Sequence, residues 1–415
     1  MSTRFAQLLI LGLALALPAI PSGRIAAQQA ATQELVWPLP PDPPRIQYVG
    51  QVRAEADIGK KRSFLGRVSG ALIGNEDLGP AIERPHDVYV EEDGKLIFVS
   101  DGGAGTVMVF DVDLQEVRFL GEDGPGTLSK PMGLAGDGAG TVYVSDPSAD
   151  RVVAFSASGD FLKAYGGAAI LHNPVDVAVN PELGRLYVVD SYLHQVVIFS
   201  VDSGEVIGRI GVDVDDLAAK RELLREMNRK ARAGGGNAME DPAGTVATPG
   251  HEAGGVEPSD LYRNRGSEPG EFRYPGFIAI GPDGTVYVTD QMNFRVQAFD
   301  SNGAFLLQIG AHGSQPGLFA RPKGIDVDNE GHVYVADGAF NNVQIFSSEG
   351  DLLLAFSGMG GGEGEVWLPL GMFIDPENRI YLADRYNRRI QIYQTLDVPD
   401  TKTGSEAGGS FGDGN

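Results

Sequence analysis

Two histidines stand beside prolines that begin repeated segments, and they are the first residues to consider for metal chemistry. His86 follows Pro85 directly, and His172 lies two residues before Pro174. A zinc site needs three or four His, Cys or carboxylate ligands at suitable spacing. The chain has no cysteine, and its six histidines do not recur at equivalent places. We therefore expect no metal ion and no other cofactor.

The elements that would position such residues follow from six copies of one short pattern, an apolar run that closes on Asp. The copies end at Asp101, Asp146, Asp190, Asp290, Asp337 and Asp384, at intervals of 45, 44, 100, 47 and 47 residues. A period of about 45 residues with strand-like content is typical of a β-propeller. The sequence therefore predicts an all-β, six-bladed propeller of four-stranded antiparallel blades, with an insertion in the long interval.

Each repeat reads as four strands, except that the last repeat lacks its fourth. A proline stands at the start of each first strand, where its missing N–H costs no ladder hydrogen bond. Residues 45–50 resemble the fourth strands of the other repeats. We therefore predict that they pair with residues 389–394 and close the ring, because closure removes the free sheet edges.

The two ends of the chain differ from the repeats. Residues 1–27 begin with one arginine, Arg4, followed by a short apolar run, which predicts a signal peptide and a periplasmic or extracellular location. Residues 28–44 form a proline-rich leader that we expect to be extended, with Trp37 either anchoring it to the ring or meeting a partner. The propeller spans 45–396, and the tail at 397–415 is expected to be disordered.

Two segments between strands are predicted to be helical. Residues 59–73 place apolar side chains on one face and basic ones on the other, which suits packing on the domain or on a membrane surface. Residues 213–232, inside the insertion 212–268, begin with acidic and end with basic residues, as the helix dipole favours. Both segments precede first strands, so we expect both helices on one face of the ring.

The net charge of the chain limits which classes of partner it can bind. The formal net charge is −23 and the sequence pI is about 4.6, whereas nucleic-acid binders need a basic surface. We therefore expect no nucleic acid. We also expect no disulfide, because there is no cysteine, and no transmembrane anchor, because no other segment is long and apolar enough.

Candidate binding residues cluster where the first strands begin. The loops before first strands and those between second and third strands share that face. We expect the loop tips to expose aromatic, Met and Arg side chains, which are enriched at interfaces, or else to pack between blades. The candidates are Tyr192, His194, Met292, Phe340, Tyr386 and Arg388 on the loops, with His86 and Lys323 at the channel mouth.

Two repeats carry a longer motif that resembles the NHL repeat. It reads Asp-x-x-Asn-x-Arg followed by apolar and aromatic residues, and it is complete at Asp290, Asn293, Arg295 and at Asp384, Asn387, Arg389. The resemblance covers roughly residues 80–395. It implies a six-bladed propeller, and the leader resembles that of exported bacterial members, which implies a periplasmic or extracellular role, in some cases alongside exported cytochromes. We expect a protein partner, with exported redox proteins among the candidates. We interpret the repeated Asp, Asn and Arg residues as structural.

The same resemblance keeps an enzyme as the alternative. Amidating lyases with this repeat hold zinc through histidines from several blades, and here only His86 occupies the matching position. Lactonase-type propellers hold calcium in the channel, and Asp87, Asp176, Asp326 and Asp375 approximate that pattern. We therefore expect a non-catalytic binding scaffold, with a metal-dependent lyase or hydrolase as the second hypothesis.

Overall fold

The computed structural model describes residues 34–39, 41–59, 79–91, 94–211 and 265–396. The predicted signal peptide, the tail at 397–415 and the helix at 213–232 lie outside the described residues. So does the predicted helix at 59–73, apart from Gly59. Among the described residues, no helix is long and apolar enough to cross a bilayer.

Six antiparallel sheets form a ring, which confirms the predicted six-bladed propeller of four-stranded blades. Two N-terminal strands, β1 (Val36–Trp37) and β2 (Ile46–Val52), belong to the last blade. Blade 1 contains β3 (Pro85–Glu91), β4 (Leu96–Asp101), β5 (Thr106–Asp111) and β6 (Glu116–Leu120). Blade 2 contains β7 (Leu134–Gly136), β8 (Thr141–Asp146), β9 (Arg151–Ser156) and β10 (Phe161–Gly166).

The remaining blades repeat this order. Blade 3 contains β11 (Pro174–Asn180), β12 (Arg185–Asp190), β13 (Gln195–Ser200) and β14 (Val206–Ile210). Blade 4 contains β15 (Pro275–Ile280), β16 (Val286–Asp290), β17 (Arg295–Phe299) and β18 (Phe305–Ile309). Blade 5 contains β19 (Pro322–Val327), β20 (Val333–Asp337), β21 (Asn342–Phe346) and β22 (Leu352–Phe356). Blade 6 adds β23 (Pro369–Ile374), β24 (Arg379–Asp384) and β25 (Arg389–Thr395).

Short 3-10 turns connect some of these strands, at Glu55–Ile58, Gly124–Gly126, Pro147–Ala149 and Gln291–Asn293. Five first strands begin at their proline, as predicted, but β7 begins three residues after Pro131. A Cβ atom on Gly133 would lie 2.0 Å from an oxygen of Asp176 in the next blade. The start of blade 2 therefore approaches blade 3 more closely than a side chain would permit.

Burial explains why these segments are strands. The second and third strands of each blade are covered on both faces by neighbouring blades, and they read as continuous apolar runs. The outer strands β18 and β22 alternate between half-buried and exposed positions before closing on a buried residue. The core is thus a set of six clusters between blades.

The ring closes through the N-terminal strand, as predicted. Strand β2 pairs antiparallel with β25, with Ile46 opposite Thr395 and Val52 opposite Ile390. The pairing covers 46–52 and 390–395, close to the predicted 45–50 and 389–394. Arg389 Nη1 also donates a hydrogen bond to Gln51 Oε1 at 2.8 Å. The first and last parts of the chain therefore share one sheet.

The leader contributes a further short strand. Val36 and Trp37 pair with the start of β2, so this part of the leader is a strand and not only a free extended segment. The Trp37 ring lies 5.9 Å from the Tyr393 ring and 6.0 Å from the Phe356 ring. Trp37 therefore packs on the core of blades 5 and 6, as the anchoring interpretation predicts.

A carboxylate at the end of every second strand fixes the loops of one face. In each blade it accepts a hydrogen bond from the backbone N–H seventeen residues earlier. The donors are Arg84 (3.0 Å), Ser129 (2.9 Å), Asn173 (3.3 Å), Arg273 (2.7 Å), Ala320 (2.8 Å) and Trp367 (2.8 Å). Since these donors precede the first strands, each carboxylate ties the start of its blade to the turn after the second strand.

In blades 4 and 6 the complete motif adds further bonds. Arg295 Nε donates to Asp290 at 2.9 Å, and Arg389 Nε donates to Asp384 at 2.7 Å. The second terminal nitrogen of Arg389 donates to the backbone oxygens of Gly362 and Glu365, both at 2.7 Å. The buried guanidinium therefore braces the long loop that leads into the first strand of its own blade.

Three further carboxylates join neighbouring blades across the channel wall. Asp87 Oδ2 accepts from Leu134 N–H at 2.8 Å, Asp176 Oδ2 from Ile278 N–H at 2.9 Å, and Asp326 Oδ2 from Ile374 N–H at 2.6 Å. Each bond links an odd-numbered blade to the following even-numbered one. The three carboxylates line one cavity of about 140 Å³ inside the ring.

Burial changes the protonation of these groups. It raises the pKa of Asp87 and of Asp326 from 3.8 to about 7. It also raises the pKa of Asp176 well above its ordinary value, and the charge of Asp87 adds to this effect. Asp176 Oδ1 is buried without a hydrogen-bond partner, which is costly for a charged carboxylate but less so for a protonated one.

The ring closure predicts a sharp contrast within β2. Ile46 is 1% exposed and Val49 is 51% exposed. Ile46→Ala should lower the free energy of unfolding by about 2–4 kcal/mol, because it leaves a cavity in the closing sheet. Val49→Ala, the matched control, should change it by less than about 0.5 kcal/mol. Urea unfolding measures both values, and equal effects would show that β2 does not hold the ring together.

The channel carboxylates predict a pH effect with a defined sign. Because the folded-state pKa of Asp87 lies above the unfolded value, its stabilising contribution is complete at acidic pH and is lost as the pH rises through about 7. Between pH 5 and pH 8 the wild-type protein should therefore lose about 2 kcal/mol more stability than Asp87→Asn.

The measurement is the free energy of unfolding in urea at both pH values. Asp113→Asn removes a carboxylate that is 67% exposed in its side chain, and this control should keep the wild-type pH dependence. An equal loss of unfolding free energy in Asp87→Asn and wild type between the two pH values would show that burial does not raise the pKa of Asp87.

Candidate binding face and channel mouth

One face of the ring carries both kinds of loop considered above. Pro85, which starts β3, lies opposite Asp101, which ends β4, and blades 3 to 6 repeat this pairing. The starts of the first strands and the turns between second and third strands therefore lie at the same end. We call this end the loop face, and we call the opening that the first strands surround the channel mouth.

The structure places the predicted loop residues on this face with different exposures. Tyr192, Met292 and Tyr386 are 50%, 51% and 57% exposed. Arg388 is also exposed, and Phe340 is half-buried. These five residues lie on blades 3, 4, 5 and 6, so the structure spreads them around the mouth and does not collect them in one cleft.

The prediction that His194 is exposed is wrong. His194 is 1% exposed, and its Nδ1 accepts a hydrogen bond from Tyr274 N–H at 3.0 Å. Burial, with smaller contributions from Arg265 and Arg273, lowers the pKa of His194 to about 4. The side chain is therefore a neutral contact between blades 3 and 4, made with a residue eighty positions away that the local sequence does not indicate.

Trp367 is a surface residue that the sequence analysis did not select. It is 48% exposed, and its ring lies 5.4 Å from the Tyr386 ring in an edge-to-face arrangement. Trp367 N–H donates to Asp384, and Tyr386 N–H donates to the Trp367 backbone oxygen at 3.1 Å. Trp367 lies two residues before Pro369, in a loop anchored by Asp384, and this position in the sequence could have indicated a residue on the loop face.

His86 and Phe277 form the floor of the channel mouth. Their rings stack at 5.4 Å with an interplanar angle of 15°. They belong to blades 1 and 4, which face each other across the ring. Phe277 also lines the cavity that holds the three channel carboxylates. The stacked pair therefore lies between the loop face and that cavity.

Positive side chains also lie at the channel mouth. Lys323 Nζ donates to Gln291 Oε1 at 2.5 Å. A Cβ atom on Gly338 would lie 3.2 Å from Lys323 Cγ and 3.6 Å from Arg321 Cδ, so both cations flank Gly338. Within the described part of the chain, neither Lys323 nor Arg321 forms an ion pair, and the same holds for Lys130 and Arg385.

The charges at the mouth act on each other. Burial, together with the positive charges of Arg385, Lys323 and Lys130, lowers the pKa of His86 to about 3. Burial also lowers the pKa of Lys323 to about 8, again with contributions from Arg321 and Arg385. His86 is therefore neutral at pH 7, and Lys323 is still mostly charged beside cations that repel it.

The described residues contain no group of three or more His, Cys, Asp or Glu side chains arranged to hold a metal ion. His172 Nδ1 lies 2.8 Å from its neighbour's backbone oxygen. Asp375 lies on the opposite face, where it accepts hydrogen bonds from Arg379 at 2.6 Å and Tyr381 at 3.2 Å. The four carboxylates considered as calcium ligands are thus divided between the channel wall and the far face.

Two family models match parts of the chain. Residues 171–199 match the NHL repeat, and residues 272–337 match the family DUF5128, described as a 6-bladed beta-propeller. The first match covers blade 3 up to its third strand, and the second covers all four strands of blade 4 and the first two strands of blade 5.

Solved structures share the fold at low sequence identity. A protein of unknown function from Bacteroides thetaiotaomicron aligns with a TM-score of 0.52 and 16% identity, over 77% of this chain and 71% of that one. An auxiliary nutrient binding protein from the same organism gives 0.51 and 12%, over 76% and 70%. Virginiamycin B lyase from Staphylococcus aureus gives 0.47 and 15%, over 75% and 95%.

At these identities the similarity concerns the fold alone. Repeat, sheet order and family matches agree with one another, and together they identify the chain as a six-bladed β-propeller that carries NHL repeat sequence.

Proposed function

We propose that this protein is an exported, non-catalytic scaffold that captures a protein partner on the loop face. The observation that carries the proposal is the exposed pair of Trp367 and Tyr386. Trp and Tyr are the residues most often found as anchors at the centres of interfaces. Leaving two large aromatic rings half in water costs hydrophobic free energy that a partner would recover.

The hydrogen bonds that hold Trp367 and Tyr386 in place support a binding role. The backbone of both residues is tied to Asp384 directly or through one further bond, and Asp384 is itself buried against Arg389. A pair held in this way loses little conformational entropy on binding, which favours affinity. Loops presented by a rigid scaffold are a common location for binding sites.

The ring geometry suggests the size of the partner's footprint. Tyr192 lies on blade 3 and Tyr386 on blade 6, which face each other across the channel mouth. Met292 on blade 4 lies between them along one side of the ring. A partner that touches all three residues has to span the mouth, which suits a folded protein surface better than a short peptide.

Export is the second part of the proposal. It rests on the sequence alone, from the apolar run of Phe5 to Leu17 after Arg4. A partner in the cell envelope, among them an exported redox protein, is consistent with that location. Catalysis at the channel remains the second hypothesis, and no feature of the described residues favours it over binding.

Capture of the partner provides the test. Immobilised wild-type protein should retain a specific protein from an envelope fraction of the source cells, and Tyr386→Ala or Trp367→Ala should weaken the affinity roughly tenfold, as is typical of anchor residues. Melting temperatures should stay close to wild type, because both side chains are half exposed.

The matched control is Leu114→Ala. Leu114 is 68% exposed and lies in the turn between β5 and β6, on the face opposite the loops, so its removal should leave capture unchanged. If Leu114→Ala abolished capture while Tyr386→Ala and Trp367→Ala did not, the loop face would not be the binding surface.

A further inference from the structure

The channel mouth concentrates positive charge in a strongly acidic protein. The chain carries a formal net charge of −23, yet four cations lie at the end of the ring where His86 and Phe277 stack. Lys130 and Arg321 directly precede the prolines at the starts of blades 2 and 5, Lys323 follows the second of these prolines, and Arg385 follows Asp384. None of the four has an acidic partner within the described residues. A local field of this kind attracts anions independently of the overall charge.

The hydrogen bonds at the mouth leave donors directed at no protein acceptor. Gln291 Oε1 accepts from Lys323, so the amide nitrogen of Gln291 is the free end of that side chain, and it has no hydrogen-bond partner in the described structure. A Cβ atom on Gly276 would lie 1.5 Å from this nitrogen, which places it over the start of β15. Lys323 Nζ retains two N–H groups beyond the bond to Gln291.

We propose that the channel mouth is a binding site for an oxyanion group, a carboxylate or a phosphate, held by Lys323, Gln291 and Arg385 above the His86–Phe277 floor. The three side chains belong to three consecutive blades, 5, 4 and 6, so the ring itself fixes their spacing. The inference does not depend on the loop face binding a protein.

Electrostatic repulsion between the cations of the channel mouth supports this assignment. Arg385 is close enough to lower the pKa of both His86 and Lys323. The negative charge of Asp337 raises the pKa of Lys323, but Asp337 already accepts backbone hydrogen bonds from Ala320, Arg321, Ala339 and Phe340. A bound oxyanion would neutralise the repulsion that the protein leaves uncompensated, and charge-assisted hydrogen bonds are the stronger kind.

The floor indicates what accompanies the anionic group. It is an aromatic surface, and the equivalent positions on neighbouring blades are the apolar Val175 and Leu370, which are 9% and 6% exposed. A ligand with an apolar or aromatic body next to its oxyanion fits this surface, because the body can cover the stacked rings. Benzoate and inorganic phosphate therefore serve as probes for the two forms of the group.

The test is calorimetric titration of the full protein with sodium benzoate and with sodium phosphate, against sodium chloride at the same ionic strength. We expect saturable binding of at least one oxyanion and none of chloride. Lys323→Gln and Arg385→Gln should each weaken that binding about tenfold, the loss expected for one charge-assisted hydrogen bond. Lys95→Gln removes an exposed cation from the opposite face and should leave it unchanged.

Gln291→Glu separates binding from folding. The new carboxylate would form an ion pair with Lys323, so this variant should melt at or above the wild-type temperature. Because the ion pair competes with the ligand for Lys323, the variant should bind the oxyanion at least about tenfold more weakly. The proposal is overturned if neither probe binds saturably. It is also overturned if binding persists at wild-type strength in Gln291→Glu and Lys323→Gln, since the anion would then bind elsewhere.

Discussion

A buried carboxylate at the end of each second strand is the interaction on which the rest of this propeller depends. Burying a carboxylate is unfavourable unless hydrogen bonds satisfy it. Here the oxygens accept backbone N–H groups from the segment before the first strand and, in several blades, from the turn that follows. The same bonds that make the charge tolerable also hold two loops together, and they do so six times around one face.

That constraint accounts for how a face made of loops can serve as a scaffold. Backbone donors in loops are ordinarily satisfied by water, and such loops are mobile. In this ring the loop donors bond to groups anchored in the core, and Arg295 and Arg389 add bonds to the loops of their own blades. Exposed aromatic residues and the cations of the mouth therefore have fixed positions relative to one another, which is what recognition requires.

The architecture could be predicted from the sequence because it is repeated. Six equivalent Asp residues, prolines at strand starts and a missing fourth strand together determine six blades and the pairing of β2 with β25. The residues of the candidate site were harder to predict from the sequence. Trp367 meets Tyr386 only because Asp384 folds its loop back, and His194 is buried by Tyr274 of the next blade, a contact across the insertion.

At the channel mouth, too, contacts between distant residues could not be predicted from the sequence. His86 and Lys323 were identifiable from their positions after prolines, but their neighbours were not. Phe277 stacks on His86 from the opposite blade, and Gln291 reaches Lys323 from the preceding one. Contacts between blades depend on the size and twist of the whole ring, and a local sequence pattern does not predict these quantities.

Residue-level hydrogen exchange of wild type and Asp384→Asn tests the central claim most directly. The backbone amide of Trp367 lies in a loop, yet it should exchange as slowly as amides within strands because Asp384 accepts its hydrogen. In Asp384→Asn the new amide group faces the donors of Asn387 and Arg389, so exchange at Trp367 should accelerate tenfold or more, while the equivalent amide of Ser129 in blade 2 stays protected. Fast exchange at Trp367 in the wild-type protein, or the same rate in both proteins, would contradict the account.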